Sequence, residues 1–197
     1  IPDQLGILRS LTKWAARITS PTNAPDLVAD AFQQLNAGHP RPVGLECAMD
    51  VLAAETQVAL LEEPAALRNP PVDTDMLERA AAALGAAKCP MIFVGRGAMN
   101  VSEEVEHLAE MLQAPVIGYR TGRGVLSSRH YLSHPIPVAH KLWPEVDVVL
   151  AIGSRLQLPQ THWGTDSGLQ IIRIDVDAEA LNRLARPNIG IVARTED

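Results

Sequence analysis

From residue 74 onward, short apolar runs alternate with segments whose apolar residues recur at helical spacing. The runs PMIFV at residues 90–94, VDVVLAI at 146–152 and LQIIRIDV at 169–176 lack the polar face of a surface helix. Helical stripes lie between such runs, as in Leu77, Ala80, Ala81 and Leu84. Apolar strands that alternate with amphipathic helices are typical of a parallel sheet covered on both faces. The sequence therefore predicts an α/β, Rossmann-like fold with a doubly wound, mostly parallel sheet of six strands.

The first 50 residues form a separate predicted unit. Apolar residues fit a helical stripe on a short segment around residues 12–18. A second helix follows, marked by the spacing of Val28, Ala31, Phe32 and Leu35. Gly38 and Pro40 end that helix, and residues 42–46 (PVGLE) predict a short buried strand. The order helix–helix–strand indicates the remnant of a second α/β domain.

Residues 51–73 differ in composition from the segments on either side. They contain acids at Glu55, Glu62 and Glu63 and prolines at Pro64, Pro70 and Pro71. Proline fixes φ and removes a backbone donor, so this stretch suits an extended linker. We therefore expect three parts: the end of one domain at 1–50, a linker at 51–73 and a complete domain at 74–197.

Composition excludes several classes of function. Hydrophobic residues make up 47% of the 197 residues but aromatic residues only 4%, so the core must be built from Ala, Val, Leu and Ile. The net charge of −6 leaves no basic segment suited to nucleic acid or an anionic membrane. No apolar run reaches the roughly 20 residues of a membrane helix. Cys47 and Cys89 fit no zinc or redox spacing, which predicts free thiols in the cytoplasm.

The carboxyl ends of the predicted strands are the places to look for a site, because ligands of open α/β sheets bind there. Gly95, Arg96 and Gly97 follow the strand at residues 90–94 directly. Such a glycine pair lets backbone N–H groups approach a phosphate, but Asn100 stands where the third glycine of a dinucleotide fingerprint would be. Taken alone, the pair is better explained by a tight turn that needs positive φ.

Three further strand ends carry candidate residues. Arg120 lies beside the turn at residues 122–124, where it suits a phosphate or a solvated loop. Arg155 follows the strand at residues 146–152 within Gly-Ser-Arg, and Asp175 and Asp177 end the strand at 169–176. An acid at a strand end suits ribose hydroxyls, and it also suits the N-cap of the next helix.

Histidines do not predict a metal site. His130, His134 and His140 are close in sequence, but Pro135 and Pro137 break any helical spacing among them. We therefore expect no metal ligands in this chain.

Six motifs, taken in order, resemble a known family. They are LTKW at residues 11–14, GHPRPVGLECAMDV at 38–51, a helix leading to PMIFVGRG at 77–97, APVIGYRTGRGVL at 114–126, DVVLAIGSRL at 147–156 and IIRIDVD at 171–177. This set resembles the thiamine-diphosphate-dependent enzymes of the acetolactate synthase, benzoylformate decarboxylase and pyruvate oxidase type. Arg41 and Ala48 depart from the usual Gly and Pro of the second motif.

The resemblance implies the end of a pyrimidine-binding domain followed by the whole central domain of a 2-oxo acid decarboxylase or carboligase. In this family, thiamine diphosphate and Mg²⁺ require a glutamate early in the first domain and a Gly-Asp-Gly…Asn-Asn motif in a third. Neither Gly-Asp-Gly nor Asn-Asn occurs in this sequence. We therefore expect no catalytic residues here, no activity of the chain alone, and partners in the missing catalytic domains of a homo-oligomeric parent, a dimer or tetramer.

The family's central domain binds FAD in some members, ADP in others and nothing in several. The resemblance carries nucleotide contacts over to nine residues at the strand ends: Gly95, Arg96, Gly97, Tyr119, Arg120, Gly153, Arg155, Asp175 and Val176. Residues 155–159 (RLQLP) lack the polar residues of the flavin binders' Arg-Phe-Asp-Asp-Arg, and residues 193–195 (ART) replace their Gly-Asp-Ala. An ADP-type or empty site is therefore expected ahead of FAD. The alternative is a free-standing NAD(P)-binding Rossmann domain of an oxidoreductase.

Overall fold

The computed structural model describes residues 2–62, 71–165 and 168–197. The chain divides into two compact units, Ile1–Asn69 and Pro70–Asp197. The predicted linker at residues 51–73 lies partly outside the described residues, since residues 63–70 are not among them, and its bounds stay a prediction. None of the described helices is long and apolar enough to span a bilayer.

The described residues of the first unit form two parallel strands and three α-helices. Their bounds are α1 Gln4–Leu11, β1 Trp14–Ile18, α2 Ala24–Asn36, β2 Val43–Cys47 and α3 Met49–Leu52. β1 and β2 pair in parallel, with Trp14 opposite Val43. The helix predicted around residues 12–18 is wrong, because Thr12 caps the end of α1 and the following residues form β1. The apolar stripe that suggested it joined residues of α1 to residues of β1.

The core of the first unit is small. Ala15 and Ala31 are its buried apolar side chains among the described residues, and Arg17 bonds the buried carboxylate of Glu46 across the two strands. Large apolar side chains are exposed, with Leu11 at 75% and Phe32 at 62%. Two strands do not supply enough covered surface to bury these side chains.

The second unit is a single parallel sheet with helices between the strands. Its elements are α4 Thr74–Ala86, β3 Pro90–Val94, α5 Ser102–Leu112, β4 Val116–Gly118, β5 Ser133–His134, α6 Ile136–Leu142, β6 Val148–Ile152, β7 Gln170–Asp175, α7 Ala178–Leu181 and β8 Ile189–Val192. The strand order is β5-β4-β3-β6-β7-β8, and every pairing is parallel. The predicted six-stranded α/β fold is confirmed. The order reverses between β3 and β6, which makes their carboxyl ends the topological switch point.

Both faces of this sheet are covered. Ile92 and Val94 of β3 face a core that includes residues of α4 and α5, whereas Met91 and Phe93 face a second core that includes residues of α6. In the second core, Trp143 contacts both Phe93 and Trp163 edge to face, and the Trp163 ring is tilted against that of Phe93. The alternation along β3 is the period-two pattern of a strand buried on both sides.

Helix caps set several boundaries in the second unit. Asp73 caps α4 by accepting the N–H of Met76, whereas Ser102 is the first residue of α5 and makes no cap bond there. α7 is short and ends at Leu181. β5 was not predicted at all, because two residues carry no periodicity.

The amino edge of the sheet is anchored by one carboxylate. Asp147, just before β6, accepts hydrogen bonds from the N–H groups of Lys88 (2.7 Å) and Cys89 (2.9 Å), just before β3. Burial raises the pKa of Asp147, but these backbone donors together bring it below its ordinary value. The charged carboxylate therefore ties together the starts of the two central strands.

Candidate functional site

The candidate site lies at the carboxyl edge of the sheet, around the switch point. A single 3₁₀ turn, Arg96–Ala98, follows β3, and another, Arg120–Gly122, follows β4. Residues 153–156 follow β6, and Asp175 is the last residue of β7. Because all strands are parallel, these four segments meet at one edge, as the strand-end argument predicts.

Gly95, Gly97 and Gly153 bring two of these segments into direct backbone contact. The N–H of Gly97 donates to the carbonyl of Gly153 (3.4 Å), and the N–H of Gly95 donates to Ile152 (3.0 Å). A Cβ on Gly95 would overlap the Gly153 carbonyl oxygen, and a Cβ on Gly97 would lie 2.8 Å from the Gly153 Cα. Gly95 has an extended φ of −119°, so positive φ does not explain it. Close approach of backbones explains the pair.

The turn after β4 rests on the end of β3. A Cβ on Gly122 would overlap the carbonyl oxygen of Val94, so only glycine fits there. Arg120 adopts a left-handed φ of +50°, and its guanidinium lies 5.0 Å from the ring centre of Tyr119. Left-handed backbone costs about 1–2 kcal/mol in a non-glycine residue. Such strain is frequent at ligand sites.

The segment after β6 presents an arginine and then turns sharply. Arg155 is exposed, while Leu156 is buried and has a left-handed φ of +49°. A short π-helical turn, Pro159–Trp163, follows and packs Trp163 against the core. Arg155 therefore lies at the edge of the sheet, next to a residue that is buried in the core.

Exposed arginines therefore come from three adjacent strand ends. Arg96 follows β3, Arg120 and Arg123 follow β4, and Arg155 follows β6. Four guanidinium groups thus lie at three neighbouring strand ends in a chain of net charge −6. Guanidinium groups suit phosphate oxygens in both charge and planar donor geometry.

The two aspartates at the end of β7 are engaged within the fold. Asp175 is 3% exposed, its Oδ1 accepts from the N–H of Asp177 (3.1 Å), and its Oδ2 lies 3.7 Å from the guanidinium of Arg173. Asp177 caps α7 by accepting from the N–H groups of Glu179 and Ala180. The capping alternative for Asp177 is confirmed, and Val176 lies half-buried between the two.

Arg173 is a residue whose role sequence reasoning missed. It is 1% exposed and donates to the carbonyls of Leu181 (3.0 Å) and Ala180 (3.1 Å), at the end of α7. Burial lowers the pKa of its guanidinium, Asp175 raises it, and the like charge of Arg155 lowers it. The available signal was a charged residue inside the otherwise apolar run IIRIDV.

His130 does not meet His134 and His140 at a shared site. Its Nε2 lies 3.3 Å from Glu110 Oε1, and with Glu106 the three side chains bring ligand atoms within 4.8 Å of one another. The Nδ1 of His130 accepts the N–H of Leu132 (3.2 Å). A neutral imidazole that accepts at Nδ1 carries its proton on Nε2, so Nε2 donates to Glu110 and has no lone pair for a metal.

Comparison with known proteins gives one family match and several relatives. The family model described as "Thiamine pyrophosphate enzyme, central domain" matches residues 77–197. The acetolactate synthase isozyme 1 large subunit of Escherichia coli (strain K12) is 29% identical over 208 residues, covering 99% of this chain and 36% of that protein. A probable 2-ketoarginine decarboxylase of Pseudomonas aeruginosa is 30% identical over 190 residues, covering 91% of this chain and 33% of that protein.

The fold has a solved counterpart. An X-ray structure of an enzyme isolated from Mycobacterium smegmatis, provisionally assigned as thiamin diphosphate-dependent, matches with a TM-score of 0.76 at 20% identity. The match covers 98% of this chain and 39% of that one. The chain thus spans about a third of the length of the relatives it matches.

Proposed function

Because the chain belongs to the thiamine pyrophosphate enzyme family through its central domain, we propose that it forms the central region of a thiamine-diphosphate-dependent 2-oxo acid decarboxylase or carboligase. Its relatives include an acetolactate synthase, a probable 2-ketoarginine decarboxylase and a glyoxylate carboligase. When bound, thiamine diphosphate acts in such enzymes as an electron sink for the substrate carbon.

The residues present do not fit thiamine diphosphate itself. The sequence has no Gly-Asp-Gly and no Asn-Asn to hold the diphosphate and Mg²⁺. The switch-point segments are joined by backbone contact among Gly95, Gly97 and Gly153. We assign the thiamine and magnesium sites to other parts of a homo-oligomeric parent, and we expect the chain alone to be inactive.

The role of this chain within the parent enzyme is to bind a nucleotide of the ADP type at the carboxyl edge of the six-stranded sheet. The observation that carries this proposal is the convergence of exposed arginines on three strand ends, while Asp175 and Asp177 are engaged by Arg173 and α7. Arg96 and Arg155 flank the switch point and would hold the phosphates. Tyr119 and Arg120 would border the nucleotide, and Val176 with buried Asp175 would shape the far wall.

A flavin suits this edge less well than ADP. After Arg155, Gln157 is the one exposed polar side chain among buried Leu156, half-buried Leu158 and buried Pro159, so this segment offers few polar side chains to an isoalloxazine ring. A dinucleotide of the NAD type suits it less well too. The two glycines after β3 contact Gly153 backbone, and Asn100 holds the third glycine position.

Thermal shift and absorbance test this proposal on the purified chain. We expect ADP to raise the unfolding temperature more than FAD, NAD or thiamine diphosphate with Mg²⁺, and the protein to be colourless. The variant Arg96→Ala/Arg155→Ala should lose the ADP shift. Arg186→Ala is the matched control, because Arg186 is exposed and precedes β8 at the opposite edge of the sheet. A yellow protein, or an ADP shift retained by the double variant, would overturn the proposal.

A further inference from the structure

The chain after β8 returns across the carboxyl edge. The N–H of Ala193 donates to the carbonyl of Asp175 at the end of β7 (3.1 Å), and the hydroxyl of Thr195 donates to the carbonyl of Gly97. β6 and β7 lie between β8 and β3 in the sheet. Residues 193–197, here termed the C-terminal strap, therefore reach from the ends of β7 and β8 to the turn after β3.

A carboxylate fastens this strap. Glu196 Oε1 accepts a hydrogen bond from the side-chain amide of Asn100 (2.9 Å), and its Oε2 lies 3.6 Å from the Nε of Arg194. The Asn100 amide lowers the pKa of Glu196, and the Glu196 backbone N–H and Arg194 lower it further against a small opposing effect of burial. Glu196 is therefore a carboxylate ion at neutral pH.

The turn beside Glu196 contains backbone N–H donors that have no acceptor among the described residues. The backbone N–H groups of Arg96 and Asn100 make no hydrogen bond within the described part of the chain. Free N–H groups at a tight turn, next to an exposed guanidinium, attract anions. An anion from the chain itself, Glu196, already occupies the amide of Asn100 next to them.

We propose that Glu196 is an internal anion that fastens the C-terminal strap over the turn after β3, and that a phosphate group bound at this turn displaces it. Only the displacement of Glu196 by a phosphate group rests on the proposed nucleotide function. Ligand phosphate and Glu196 carry the same charge and use neighbouring donors, so one excludes the other by repulsion and by competition for Asn100. Ligand binding and strap closure therefore oppose each other.

Two readouts test the strap in Glu196→Ala and in Glu196→Gln, which keeps an acceptor for Asn100 but removes the charge. Hydrogen exchange of the amides at residues 96–101 reports whether the strap holds the turn. Calorimetric titration with ADP reports competition. The control is Asp197→Ala, which removes the same charge one residue further on, from a side chain without a hydrogen bond or ion pair to the described residues.

Glu196→Ala should speed exchange at residues 96–101 and tighten ADP binding, each about two- to fivefold, with Glu196→Gln in between for exchange. Asp197→Ala should leave both near the wild-type values. Unchanged exchange in Glu196→Ala, or equal ADP affinity in wild type and variant, would overturn the inference. If no variant binds ADP but Glu196→Ala exchanges faster, the fastening role stands and the proposed nucleotide function fails.

Discussion

The two units of the chain use the same alternation of helices and parallel strands with different results. In the second unit, six strands are covered on both faces, and side chains such as Ile92, Val149 and Ile172 have no exposed surface. In the first unit, two strands bury Ala15 and Ala31 and leave Leu11 and Phe32 exposed. Local pattern thus selects the elements, but burial depends on how many strands lie side by side.

The two units should differ most in the free energy of unfolding that is lost when the arginine of an ion pair is replaced. Arg173→Met leaves the Asp175 carboxylate buried without its partner, so we expect a loss of about 3–5 kcal/mol in the free energy of unfolding, measured with urea. Arg17→Met in the first unit should cost less, about 1–3 kcal/mol, because Arg17 is 52% exposed and its removal opens the buried Glu46 carboxylate to water.

The double variant Arg173→Met/Asp175→Asn is the control, since it removes both buried charges. It should recover much of the lost stability. An Arg173→Met variant as stable as wild type would mean that the buried pair does not hold α7 on β7.

Apolar truncations give the next largest contrast. Ile172→Ala opens a cavity in a fully packed core and should cost about 2–5 kcal/mol. Phe32→Ala removes a ring that is already 62% exposed, so it should change the free energy of unfolding, measured by chemical denaturation, by no more than about 0.5 kcal/mol. Equal losses for the two variants would contradict the difference in packing between the units.

The glycine contacts at the switch point should have an intermediate effect. Gly95→Ala forces a Cβ into the Gly153 carbonyl and should lower stability by about 1–3 kcal/mol. Gly85→Ala is the matched control inside α4, where a Cβ meets no atom within 4 Å, and it should raise stability by about 0.5–1 kcal/mol. Differential scanning calorimetry distinguishes a decrease in stability from an increase. A Gly95→Ala variant as stable as wild type would contradict the structural explanation for this glycine.

The smallest expected effect is on acid stability. The folded pKa of Asp147 is below its unfolded value of about 3.9. The stabilisation is therefore complete above that unfolded value and is lost as pH falls through the folded pKa. Asp147→Asn should lower stability at neutral pH and flatten its decline below about pH 4, as followed by circular dichroism. An unchanged pH profile would show that the carboxylate does not tie β3 to β6.

The long strands of the second unit could be predicted because each carries its signal within five to eight residues. β3 is predicted to the residue, and β6 and β7 lie within the mostly apolar runs at residues 146–152 and 169–176. β5 has only two residues and carries no such signal. β1 could not be predicted from the same cue, since residues of α1 and β1 together imitate one helical stripe. The pairing with β2 decides the conformation of residues 14–18, and a local pattern does not contain that pairing.

In the candidate site, too, some features could be predicted from the sequence and others could not. Strand-end residues such as Arg96 and Arg155 follow from the strand positions, which is why their convergence could be predicted. The contact between Gly97 and Gly153, and the bond between Asn100 and Glu196, join residues far apart in the chain. Such contacts depend on the sheet order, so the reason for the glycines and the position of the strap came from the structure alone.

We propose that this chain carries the family's central domain without the thiamine diphosphate site. Isothermal titration of the purified chain with thiamine diphosphate, in the presence and absence of Mg²⁺, measures this binding directly. We expect no heat beyond that of dilution under either condition. Saturable, magnesium-dependent binding would contradict it and would place the catalytic cofactor within these 197 residues.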